Sequence, residues 1–111
     1  MPNDTARTPA ATIGHVIETV TFRLADGTDP RRFTDDAESA SAWIAKRSGF
    51  VSRCPSSSDD GLWIEHIEWA TMDDARAAAA AIGTAEEMKP FIAGIDGPSV
   101  TMHHTRVTVA A

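Results

Sequence analysis

The sequence predicts one α+β domain, built on a four-stranded antiparallel sheet with helices on one face. Three observations predict it. Four stretches read as strands: His15–Leu24, Phe50–Pro55, Leu62–Trp69 and Ser99–Val109. Two longer stretches between them carry helical spacing and helix-end signals. The resulting order is β-α-β-β-α-β, the ferredoxin-like plan. The domain spans residues 13–111, and residues 1–12 form a flexible polar lead-in containing Pro2 and Pro9.

In the first strand, Val16, Val20, Phe22 and Leu24 share one parity, and Glu18 interrupts that apolar row. Asp26-Gly27 is a turn. Asp29-Pro30 then starts a helix, with Asp as N-cap and Pro at the first helical position. Phe33, Ala37, Ala40 and Ile44 fall on one face of it. Lys46 and Arg47 occupy its last turn, where cations suit the helix dipole, and Gly49 stops it. Phe50–Pro55 is a short second strand ended by proline. Ser56–Gly61 is a turn into the third strand, Leu62–Trp69.

Thr71 caps the second helix, with Asp74 three residues on. Ala75, Ala78, Ala79 and Ile82 give it a face of small residues, which lets a helix lie close to a sheet. Gly83 stops it, and Thr84 with Glu87 signals another start. A short helix follows through Met88 and Phe91 to Ile95, kinked or restarted at Pro90. In the last strand Met102 and His104 share one parity, and Thr101, His103 and Thr105 the other.

The third strand is apolar on both parities. Trp63, Ile67 and Trp69 lie on one and Leu62 and Ile64 on the other. Two-sided burial calls for a second layer, and the simplest is the same sheet from a second copy, giving a homodimer. In the plainest reading of each, His66 is a half-exposed histidine on the helix-packed side and the tryptophans are dimer core, while the face each row presents depends on register.

Composition excludes several classes. Ten basic against sixteen acidic side chains give a net charge of −6. Nucleic acid and anionic membranes reward clustered Lys and Arg, so neither is expected as a partner. No apolar run approaches a membrane span of about 20 residues. Cys54 is the only cysteine, so no internal disulfide forms, which fits a cytoplasmic setting. Phosphate-loop, dinucleotide and Gly-x-Ser-x-Gly patterns are absent.

The candidate chemistry lies on the strands. Glu18, set among apolar neighbours, reads as a carboxylate with a raised pKa that serves as acid or base. The plainer reading is a carboxylate satisfied by Arg23, Arg106 or solvent. His66 shares a parity with Glu68, an arrangement that suits proton transfer, or it is a half-exposed strand histidine. His104 lies on a strand expected beside the first, so it or His103 can approach Glu18. Trp63 and Trp69 share a parity with Glu65, and such walls suit a flat organic ligand. The plainer reading is core. Histidines and glutamates could together bind a metal, but no ligand spacing supports that, and neither metal nor cofactor is expected.

The β-α-β-β-α-β order, the Arg23-Leu24-x-x-Gly27 turn, the Gly49-Phe50 helix exit and the Glu68-Trp69-x-Thr71 strand exit resemble the antibiotic biosynthesis monooxygenase domain. That domain is part of the dimeric α+β barrel superfamily, and the resemblance covers His15 to Val107. It implies a homodimeric barrel with a pocket between sheet and helices or within the barrel, and it implies that Trp69 faces that pocket. Haem-degrading members carry a histidine on the second helix after that tryptophan, where this chain has Ala75 and Ala77 to Ala81. A pocket asparagine of the first strand falls near Val20, another departure. The implied activity is cofactor-independent oxygenation, or proton-transfer cyclisation, of a small aromatic or polyketide-like molecule. His66, His104 and Glu18 would handle protons, and Trp69, Trp63 and Glu65 would line the ligand. The alternative is a non-catalytic small-ligand-binding dimer of the same fold.

Overall fold

The structure is a computed structural model and describes residues 10–111. Residues 1–9 of the expected lead-in lie outside the described residues. Its end is anchored: the Thr12 backbone N–H donates to Glu68 Oε2 at 3.2 Å.

The chain runs β1 (Val16–Phe22), α1 (Pro30–Ile44), β2 (Phe50–Arg53), β3 (Ser56–Ser57), β4 (Trp63–Trp69), α2 (Met72–Ala81), α3 (Lys89–Ala93) and β5 (Thr101–Arg106). Short 3-10 turns flank α3 at Ile82–Thr84, Glu86–Met88 and Gly97–Ser99. The antiparallel sheet has the order β2-β4-β1-β5, with β3 also pairing to β4. It is an α+β fold of ferredoxin-like type, and the sheet does not close into a barrel. Five strands replace the expected four because Pro55 has no N–H and breaks the edge strand into β2 and β3.

α1 buries Phe33, Ala37, Ala40 and Ile44, the row its spacing predicts. Asp29 caps it, accepting the Arg31 N–H at 3.3 Å. The helix ends at Ile44, so Lys46 and Arg47 fall in the turn beyond it rather than in its last turn. Arg47 still reaches back, with Nε donating to the Trp43 carbonyl at 3.1 Å. Gly49 then reverses the chain at φ +79, a conformation that disfavours any side chain. Thr71 caps α2 by accepting the Asp74 N–H at 3.0 Å. Thr84 caps nothing: its hydroxyl donates back to the Ala81 carbonyl at 3.2 Å.

Register fixes the faces. β1 pairs Val16 with Trp69, Glu18 with Ile67, Val20 with Glu65 and Phe22 with Trp63. All of these positions face α1, α2 and α3, and the core forms there. This corrects the plainest reading of His66, which puts it on the helix-packed side. The row with the tryptophans packs on the helices, and His66 is exposed on the opposite face. The reason is the partner strand: the apolar row of β1 must be covered, and the register sets the odd positions of β4 beside it.

Candidate functional site

Against the helices the sheet is mostly apolar, interrupted by Glu18 from β1, Glu65 from β4, His104 from β5 and Arg53 from β2. Arg53 reaches this face through an irregularity. The β2–β4 register shifts between Phe50 and Ser52, which turns Arg53 inward together with Phe50.

A cavity of about 330 Å³ lies between this face and α2, α3 and the segments beside them. That is the small end of ligand pockets, which run about 300–1,000 Å³. Glu18, Glu65 and Trp69 line it from the sheet. Ala78, Ala79 and Ile82 line it from α2 and its end, and Phe91, Ile95 and Val100 close the far side. The small-residue face of α2 leaves the room. The segment carrying Ile95 is held in place by a bridge to Leu24, with Asp96 N–H donating to the Arg23 carbonyl at 2.9 Å.

Glu18 is 7% exposed. Burial pushes its carboxyl above the ordinary glutamate range, and the contact with His104 pulls against that shift. His104 Nε2 lies 3.1 Å from Glu18 Oε1. The Trp69 indole N–H comes near enough to favour the ionised form slightly, without making a hydrogen bond. Trp69 is 1% exposed, and its Nε1 is the buried side-chain polar atom with no partner among the described residues. A buried donor calls for an acceptor.

Glu65 is engaged otherwise. Arg53 Nε donates to one of its oxygens at 2.8 Å and Nη2 to the other at 2.6 Å. Arg53 Nη1 donates to the Ala37 carbonyl and to Ser41 Oγ on α1.

The structure thus brings Glu18, Glu65 and Trp69 to one cavity and sets His104 on Glu18. Two sequence candidates fall elsewhere. His66 stands on the outer face of the sheet, and its expected partner Glu68 is taken by His15, whose Nδ1 lies 2.7 Å from Glu68 Oε2. Trp63 does not line the cavity. It stacks on Phe22 at 6.2 Å between centroids and meets Phe33 edge-on at 4.9 Å, as part of an aromatic core. Arg53 and His15 are not among the candidates that the sequence singles out. No local pattern marks either, since both act through partners brought by strand pairing. No three His, Cys, Asp or Glu side chains among the described residues converge as metal ligands, and no described helix is long and apolar enough to cross a membrane.

No family model matches the sequence, and no curated protein matches it. Solved structures do. SnoaB of Streptomyces nogalater, a cofactor-independent oxygenase, is 20% identical in a mutant form, with a TM-score of 0.63 over 86% of this chain and 93% of its own. A Bordetella bronchiseptica protein provisionally assigned as an antibiotic biosynthesis monooxygenase is 14% identical, with a TM-score of 0.73 over 86% and 99%. This chain has the fold of the antibiotic biosynthesis monooxygenases. A monooxygenase of Streptomyces coelicolor, from the gene ActVA-Orf6, shares that fold at 20% identity and a TM-score of 0.63, covering 89% of this chain and 91% of its own. It was solved with the ligand nanaomycin D. At these identities the likeness to antibiotic biosynthesis monooxygenases is one of fold.

Proposed function

We propose that this chain is a small-molecule enzyme of the antibiotic biosynthesis monooxygenase type. It oxygenates a flat aromatic or polyketide-like substrate without a cofactor, working in the cytoplasm as a homodimer whose second copy covers the outer sheet face. The observation that carries the reading is Glu18: a buried carboxyl with a raised pKa, on the wall of an apolar cavity and in contact with His104. A carboxyl of that kind is poised to exchange protons with a bound ligand.

In this reading a substrate oxygen accepts the free Trp69 N–H, and Glu18 takes a proton from an activated carbon. The electron pair left on that carbon joins dioxygen, forming a C–O bond. The peroxide is protonated to a hydroperoxide. Loss of water, with the second hydrogen of that carbon, leaves a ketone. One oxygen atom enters the product and the other leaves in water. The apolar walls of Ile82, Phe91 and Ile95 keep bulk water from the carbanion.

A ligand-binding module without catalysis is the second reading. It is favoured by the scarcity of polar groups in the cavity, since Glu65 is already taken by Arg53. One experiment separates the two. Oxygen uptake and Trp fluorescence are measured with a panel of flat hydroxylated ketones, on wild type and on Glu18→Gln. The enzyme reading expects bound ligand in both and oxygen uptake in wild type alone, lowered about 10²–10⁴-fold in the variant. Binding with no uptake in either protein leaves the binding module, and equal uptake in both removes Glu18 from the reaction.

A further inference from the structure

The cavity wall holds two carboxylates, and one guanidinium gives them different standing. Glu18 and Glu65 sit on neighbouring strands and face the same way, one step apart along the pairing: Glu18 opposes Ile67, and Val20 opposes Glu65. Two equivalent carboxyls in so small an apolar space would share and exchange protons as a coupled pair. Here they are not equivalent. Both oxygens of Glu65 accept from Arg53, at 2.8 and 2.6 Å, in a side-by-side pair. Glu18 meets His104 through one oxygen, a single contact at 3.1 Å.

Arg53 is itself well fixed. Its side chain is 3% exposed. It donates to Ser41 Oγ at 2.8 Å and to the Ala37 carbonyl, and its guanidinium lies 5.5 Å from the centre of the Phe91 ring, which lines the cavity. A planar fork with a fixed position matches a carboxylate in a way that a lysine would not.

We propose that Arg53 is a positioning residue: by occupying both oxygens of Glu65 it leaves Glu18 as the one cavity carboxyl that exchanges a proton with ligand. This rests on the proton-transfer reading of the cavity. The other groups facing Glu18 are consistent with it. β5 presents His104 and β4 presents Glu65, with Arg53 behind it. α2 presents Ala78 and Ala79, and α3 presents Phe91, none of them charged.

The test uses the full chain labelled with carbon-13 at glutamate carboxyls, titrated by NMR, alongside the pH profile of oxygen uptake. Three variants are compared: Arg53→Met, Arg53→Lys, and Arg53→Met combined with Glu65→Gln. In Arg53→Met the Glu18 signal is expected to titrate in two steps more than about 1 pH unit apart, where wild type gives a single Glu18 step. The acid limb of the pH profile should split in the same way. Arg53→Lys should show the same splitting in weaker form. The double variant removes the stranded charge, so it should fold and return to a single cavity step, even if Arg53→Met does not fold. A single unchanged step in a folded Arg53→Met overturns the proposal, as does a split profile in the double variant. Oxygen uptake by Glu18→Gln equal to that of wild type overturns the proton-transfer reading instead, so the two failures are distinct.

Discussion

Glu18 and His104 stand directly opposite each other on β1 and β5, and His104 Nε2 reaches Glu18 Oε1 at 3.1 Å. The pair forms where the apolar row of β1 is interrupted. A buried acid is thereby held at the cavity edge by one polar partner, with its other side toward the space a ligand would fill.

That arrangement makes stability depend on pH in a known direction. Burial raises the Glu18 carboxyl above its ordinary value of 4.5. The folded chain then keeps a proton that the unfolded chain has already lost. Glu18 therefore favours the fold below the ordinary value, and this contribution is lost as pH rises through the raised one. Urea unfolding of wild type and Glu18→Gln, measured from roughly pH 4 to 8, should show a downward slope in wild type that the variant lacks. Parallel curves would remove Glu18 from the pH dependence.

Trp69 offers a second test, aimed at binding. Its N–H has no hydrogen-bond partner among the described residues. Trp69→Phe removes that donor and keeps an aromatic ring. Calorimetry should show affinity for a carbonyl-bearing ligand falling by about 5-fold, the worth of a net hydrogen bond of about 1 kcal/mol. A hydrocarbon ligand of the same shape should lose much less. Equal losses for both would mean that the ring, and not its N–H, does the recognising.

Ala79 sets the room available. Ala79→Leu places three more carbons at the α2 wall with little change in helix propensity. Affinity for flat ligands should fall by about tenfold or more while the thermal transition stays cooperative. Unchanged affinity would place the ligand elsewhere.

Gly49 links two elements, and its replacement should be costly. A Cβ there would run into the Asp74 side chain, which accepts from Thr71 Oγ1 at 2.8 Å at the start of α2. The backbone at φ +79 adds strain of its own. Gly49→Ala should destabilise by about 2 kcal/mol or more, seen as a fall in Tm of roughly 10 °C. A shift within error would mean that the turn relaxes freely.

How much of this was legible in the sequence varies by element. The buried row of α1 could be read directly, because helix burial follows local spacing. Parity correctly put Trp69 with Glu65, and Met102 with His104. It could not say which row meets the helices, because both rows of β4 carry large apolar side chains. Parity also failed at β2, where the shift between Phe50 and Ser52 turns Arg53 inward against simple alternation. The Arg53–Glu65 and His15–Glu68 pairs join positions far apart in sequence, and only the register brings them together.

The alternation of β1 and its neighbours has one more effect. Thr19 pairs with His66 on one side and His103 on the other, so these three form a row across the outer face. Glu18 and its partners are one position away along the strand, on the inner face. The sheet thus works as an insulating layer between two independent sets of positions. Substitutions in the outer row can retune what the surface meets without touching a cavity atom, and those of the inner row can retune the cavity without altering the surface.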